Sequence, residues 1–584
     1  MGADRLTKVG IAAATLSCCL IAPDSLGEPA PQYDVLITHG IIYDGAGSAP
    51  FVGDAAITGD RIAYVGPHAP GTAKRTIDAR GKAVSPGFIN MLSWANESLL
   101  VDGRGQSDLR QGVTLEVMGE GDSMGPLTPK MKQLAEQRQI DIKYSIDWTT
   151  LGEYLEKLER QGVSLNVASF VGATTVRVHE LDEENVTPTP AQLARMQALV
   201  GQAMEEGAVG VGSSLIYSPA TYAKTPELIA LMQQAAACGG MYISHMRNEG
   251  NHVLDAVDEL IEISKQSGAP AEIYHMKVAG KPNWDRLSPM IAKIEAARAA
   301  GQRITADMYT YPAGATGLDA AMPPWVQEGG QEKWIARLKD PAIRKRVIAE
   351  MRDAKTSWDN LYALAGPEGT LMLQFKNSKL KPLTGKRLSE IAAMRHTSPE
   401  DAAIDLVIED GSRVGVAYFL MSEDNIKREL ALPYVSFGSD EAAQAPEGVF
   451  LKSNPHPRAY GNFARVLAKY VRDEKVVPLE QAIRKLTALP ASNLSLRDRG
   501  MLKAGNYADV VVFDPATIQD HATFERPQVL ATGVSEVFVN GVEALKEGEP
   551  TGAHSGRFVR GRAWTGWPGG GCRKSAADWQ WAKN

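Results

Sequence analysis

Between residues 163 and 277 the chain alternates strand-like and helical segments without a break, and that beat restricts the possible fold more than any other feature of its 584 residues. The run reads "VSLNVASFVG", helical "PAQLARMQALVGQAMEEG", "AVGVGSSLIY", helical "TPELIALMQQAAACGG", "MYISHMR", helical "VLDAVDELIEISKQSG" and "AEIYHMK". Helices that open at Thr or Pro and close at Gly, set between short β-rich runs, are βα units whose strands stack in parallel. The expectation is an α/β fold built on a (β/α)8 TIM-like barrel, a design that keeps its chemistry at the C-terminal ends of the strands.

The flanks read differently. From Tyr33 to Ala83, and again in "GNYADVVVFDP" and "VSEVFVNGVEAL", apolar and polar residues alternate between Gly/Asp turns, the mark of short antiparallel strands. The division expected is a small β-sandwich built from both ends (30–83 and 496–556) around a barrel spanning 84–495. Charged helical segments at about 324–410 break the βα beat and predict an insertion there. Residues 557–584, with three consecutive glycines and Trp564, Trp567, Trp579 and Trp581, read as a tail.

Arg5 and Lys8 precede an uncharged apolar run from Val9 to Pro23, so 1–29 is read as a secretory signal peptide too short to span a membrane. Export to the periplasm or the medium follows as an expectation, ranked above lipid attachment at Cys18 or Cys19. Without the signal, Cys238 and Cys572 remain; they could pair after export, but Cys238 lies in a helical stretch and is read as a buried free thiol. A formal charge of -7 with no basic stripe argues against nucleic acid as a partner.

Three residues stand where β-rich runs end: His245 in "YISHMRNEG", His275 in "EIYHMKVAG" and Asp440 in "FGSDEA". Two imidazoles on neighbouring parallel strands suit a metal with an open position for water, and a carboxylate nearby can accept and return a proton.

The strings "VSPGFIN", "DLRQGVT", "EEGAVGVGSSLIYSP", "SHMRNEG", "YHMKVAGKPNW", "DMYTYPAGATGL", "GSDEA", "NPHPRAYGNFARVLAKYVRDEKVVPLEQAIRKLTALPA" and "DRGMLKAGNYADVVVFDP" resemble, in order from Tyr33 to Val542, the D-aminoacylase (N-acyl-D-amino-acid deacylase) branch of the amidohydrolase superfamily. The resemblance implies zinc, one ion per chain with another divalent metal as the substitute, on His245 and His275, with Asp440 as general base. It implies a small amide substrate whose carboxylate is held by Lys277, Tyr309 and Arg458.

The family pattern is broken in three places. Its first-strand histidines map to Leu92 and Trp94, which cannot bind metal, so a second, weaker metal is not expected. A further histidine maps to Ala173. The metal-binding cysteine after "GVT" is missing from "GVTLEVMGEGDSMGPL"; Glu120 is the nearest substitute and Asp122 the second. Leu92 and Trp94 would also make the pocket floor apolar and favour a bulky acyl or aryl group. The expected activity is hydrolysis of N-acyl (D-)amino acids, or similar amides bearing a carboxylate, by a zinc-bound water. The alternatives are an amidohydrolase for a cyclic amide, a dipeptide or an acylated aromatic amine, and a metal-free exported binding protein.

Overall fold

The structure, a computed structural model, describes residues 31–562 and residue 564. The expected signal segment with Cys18 and Cys19, and the tail residues Trp567, Cys572, Trp579 and Trp581, lie outside the described residues. Among the described residues no helix is long and apolar enough to cross a membrane.

Eight parallel strands make the central barrel: Phe88–Asn90, Val113–Met118, Asn166–Ser169, Gly210–Ser214, Met241–His245, Ala271–Ile273, Ile304–Met308 and Val435–Phe437. They pair in that order, the third strand continuing through Phe170 into Val171–Gly172 to reach the fourth. The ring closes between the eighth strand and the first, where Met91 donates its N–H to Phe437 (3.1 Å) and Asp440 donates to Leu92 (2.8 Å). Ile89, Leu92, Leu115, Val117, Phe170, Ile243 and Tyr274 form one buried cluster within it. Side chains alternate along each strand, so on Met241–His245 the face that carries Ile243 also carries His245.

The helices outside start and stop where the sequence signals them. Pro190–Glu206 opens with a capping box on Thr189 and ends at Gly207, whose φ of 114° is open to glycine and costly for other residues. Val253–Ser267 ends in the same way at Gly268.

The two ends of the chain meet in one hydrogen-bonded unit of nine strands that branches at Gln32–Ile42. Ala83–Pro86 pairs on one side with Gln32–Ile42 and on the other with Val510–Phe513, so the N- and C-terminal strands share a hydrogen-bonded ladder and a core containing Ile37, Ile57, Val510 and Phe538. The insertion lies between the seventh and eighth barrel strands. It is wider than 324–410, because Ala313–Gly317 and Gly415–Phe419 pair with each other and with Thr370–Gln374 in a three-stranded antiparallel sheet. Cys238 is disulfide-bonded, which corrects its reading as a free buried thiol; the other three cysteines of the chain lie outside the described residues.

Sheet and barrel are bolted together by a buried polar knot. Asp509 accepts from the Arg499 guanidinium and from the Asn540 N–H (2.8 Å), and Asn540 donates to Asn166 on the third barrel strand (2.7 Å). Asp509→Ala would leave a buried guanidinium without its counter-charge and should cost about 3–5 kcal/mol, read as a lowered denaturant midpoint. A loss below about 1 kcal/mol would mean that the knot is not holding the two units.

Candidate functional site

The site stands over the C-terminal mouth of the barrel. His245 is the last residue of the fifth strand, and His275 follows the sixth by two residues. His275 and Asp440 both adopt left-handed backbone, with φ of 35° and 51°. For residues with a Cβ this costs about 1–2 kcal/mol each, so neighbouring bonds must hold them there. The His275 N–H is held by Asp307 Oδ1 on the seventh strand (2.9 Å), and the Asp440 N–H by Leu92 O (2.8 Å).

Glu120, just past the second strand, meets both histidines with one oxygen. Its Oε1 lies 3.1 Å from His245 Nδ1 and 3.0 Å from His275 Nε2, with the two rings nearly perpendicular. Asp122 is not part of this group; it lies exposed on the cavity wall. Donor atoms on a tetrahedral zinc with bonds near 2.1 Å are about 3.4 Å apart, so Glu120 already stands near zinc spacing from both histidines. The charges agree as well: Glu120, Glu249 and Asp440 face two fixed cations, Lys277 and Arg458, leaving a net negative site for a divalent ion.

Behind the histidines lies Glu249, which sequence reasoning missed. Its Oε1 is 3.1 Å from His275 Nδ1 and 2.7 Å from Lys277 Nζ, and its Oε2 is 3.5 Å from His245 Nε2. Burial works against its charge, but His245, Lys277 and His275 outweigh burial and hold the carboxyl far below its ordinary value. A carboxylate behind a metal-binding imidazole sets the ring's tautomer and orientation. The available signal was spacing: Glu249 follows His245 by four residues.

Lys277 lines the cavity and bonds within the site. Its ammonium donates to Glu249 Oε1 (2.7 Å) and to His275 O (2.8 Å), and lies 2.7 Å from His275 Nδ1, the nitrogen that also faces Glu249. Arg458 is oriented otherwise. One nitrogen, Nη2, binds Asp440 Oδ2 (2.8 Å) and Asp440 O (2.7 Å), while Nε and Nη1 are buried without a hydrogen-bond partner and the guanidinium sits 4.2 Å from the Tyr309 ring centre. His456 seats it: Nδ1 accepts the Arg458 N–H and Nε2 bonds Ala313 O, both at 3.0 Å, and burial together with the Arg458 charge keeps this imidazole neutral. Burial raises the Asp440 carboxyl despite Arg458, and the charge of Glu120 adds to the rise.

Leu92 packs inside the barrel and is not on the cavity wall, which corrects half of the apolar-floor expectation; Trp94 is on the wall. Its indole N–H donates to Glu120 Oε2 (3.0 Å) and Asp440 Oδ1 (3.1 Å). Ala173, at the start of a helix, brings no polar group, and Thr174 and Thr175 line the cavity beside it. The cavity measures about 730 Å³ and runs from the histidines outward to Met131, Leu134, Ile142, Trp334 and Phe450.

Residues 75–544 match the amidohydrolase family. The chain belongs to that family. This amidohydrolase is 34% identical over 528 residues to the D-aminoacylase of Alcaligenes xylosoxydans xylosoxydans, covering 90% of this chain and 97% of that one. It is 31% identical over 530 residues to the N-acyl-D-glutamate deacylase of the same organism, covering 91% and 97%. Among solved structures, the N-acyl-D-glutamate deacylase of Bordetella bronchiseptica, complexed with zinc and a phosphonate mimic of the tetrahedral intermediate, superposes with a TM-score of 0.75 at 30% identity over 91% of this chain and 100% of that one. A D-aminoacylase described with a binuclear metal centre, one metal activating and the second attenuating, gives 0.74 at 33% over 90% and 100%. The amidohydrolase is a hydrolase of carbon–nitrogen bonds other than peptide bonds.

Because Glu249 orients the His275 imidazole, Glu249→Gln should weaken zinc binding about 10–100-fold, measured by competition with a chelator. An unchanged affinity would show that the rings are held by the backbone alone.

Proposed function

We propose that this amidohydrolase removes the acyl group from N-acyl-D-amino acids, using a single zinc ion held by Glu120, His245 and His275. The observation that carries the reading is the convergence of those three donors opposite a buried Asp440–Arg458 pair. When bound, zinc supplies a Lewis acid for the amide carbonyl and makes water a stronger acid. Asp440 takes the proton from the attacking water, and its raised proton affinity suits it to hand that proton to the departing nitrogen.

Arg458 provides the anchor. Two of its donors, Nε and Nη1, have no partner within the fold and are left to bind an anionic group, and the Tyr309 ring backs the guanidinium. Substrate binding through Lys277 would require its ammonium to leave Glu249 or His275, so the anionic end of the substrate is assigned to Arg458 first.

The D configuration rests on the relatives, which are D-aminoacylase and N-acyl-D-glutamate deacylase. A cavity of about 730 Å³ is the size of one that encloses a drug-sized ligand, and an acetyl amino acid would leave most of it empty. Its outer wall of Met131, Leu134, Ile142, Trp334 and Phe450 favours a long or bulky acyl chain. The charge and length of residues 1–29 support export of the enzyme to the cell envelope or the medium.

The test is a series of N-acyl-D-amino acids from acetyl to decanoyl. Hydrolysis should rise with chain length, and Asp440→Asn should lower kcat about 10²–10⁴-fold. No hydrolysis of any member by protein carrying one zinc per chain would end the reading; a preference for acetyl would end only the assignment of the outer wall.

A further inference from the structure

The indole of Trp94 stands between two carboxylates that have no other donor on their facing oxygens. Glu120 gives Oε1 to both histidines and Oε2 to Trp94 Nε1. Asp440 gives Oδ2 to Arg458 and Oδ1 to the same Nε1. Two such oxygens, one from the end of the second strand and one from the end of the eighth, form the kind of pair that a divalent cation bridges. Here a neutral N–H takes that place. Indole nitrogen is a donor only; it has no lone pair to offer a metal and does not give up its proton in water.

The backbone makes this placement firm. Trp94 donates its own N–H to Glu441 O (2.9 Å), and Ser93 forms a parallel bridge with Glu441, so the residue is fixed in the seam that closes the barrel. From that seam the ring leans over the mouth and forms part of the cavity wall.

We propose that Trp94 is a resident occupant of the outer cation position: it keeps the metal site mononuclear and, as a positioning residue, holds the Asp440 carboxylate at a set distance from Glu120. The related D-aminoacylase with a binuclear centre, where the second metal attenuates, marks what this chain avoids. Activity of this chain then stays constant as zinc rises. The inference rests on the single-metal reading given above, yet it is decided by metal count, which is measured independently of any substrate.

The experiment uses the full chain, equilibrated with increasing zinc, desalted and analysed for metal per chain by mass spectrometry, with isothermal titration of zinc alongside. Wild type should hold about one equivalent throughout. Trp94→His, which turns a donor into a ligand, should take up a second equivalent and lose activity as zinc rises. Trp94→Phe keeps the ring and deletes the N–H. With its melting temperature retained, it should keep one tight zinc, acquire a second weak one, and show kcat lowered about 10-fold with KM changed less than 2-fold. Two equivalents on wild type overturn the proposal. So does a count of one on both variants in excess zinc. If wild type holds one zinc and hydrolyses no acyl amino acid, the deacylase reading falls while the assignment of Trp94 is still decided by the counts.

Discussion

Everything at the mouth of the barrel is arranged around the carboxylate of Glu120. It is buried with 4% of its surface exposed, and burial alone would favour its neutral form. The hydrogen bonds from His245 and His275 outweigh that penalty and hold the carboxyl far below its ordinary value, so the group stays charged. One oxygen gathers the fifth and sixth strands and the other gathers the first through Trp94. A thiolate in this position, as the family resemblance implies for its relatives, has one sulfur atom to offer. A carboxylate has two oxygens, and this chain uses both.

That difference joins the losses that seemed separate in the sequence. Trp94 and Glu120, standing where the resemblance implies a histidine and a cysteine, read as two defects when each is judged by metal binding alone. In the structure they are partners at 3.0 Å. An indole N–H needs an acceptor, and a second carboxylate oxygen needs a donor once no second cation is present. Sequence reasoning found both positions and missed the bond between them, because nothing in residue spacing says which side chain turns toward which.

The legible parts were those dictated by local periodicity. The βα beat around "MYISHMR" and "AEIYHMK" placed His245 and His275 at strand ends, and the Thr/Pro starts and Gly stops of the helices followed from capping chemistry. The illegible parts depend on contacts across the fold. Lys277 could extend to substrate or fold back on His275 with equal ease by sequence, and Glu249, four residues from His245, decides for the second. Barrel closure rests on isolated bonds such as Met91 to Phe437, which leave no periodic trace. The widened insertion escaped notice because Ala313–Gly317 is a short run of small residues and finds Gly415–Phe419, about a hundred residues on, only in three dimensions.

The nine-stranded sheet carries a consequence for how the chain is made. Val84 pairs with Val512, so strands from the first part of the molecule take their neighbours from the last. Loop closure over such a distance is slow, and until it happens Ala83–Pro86 keeps an unpaired edge. During synthesis the nascent chain therefore carries an open strand template while the whole barrel is still being built, the state in which strands recruit the wrong partner. The arrangement that ties the ends together in the finished molecule leaves that edge open until the last strands are made.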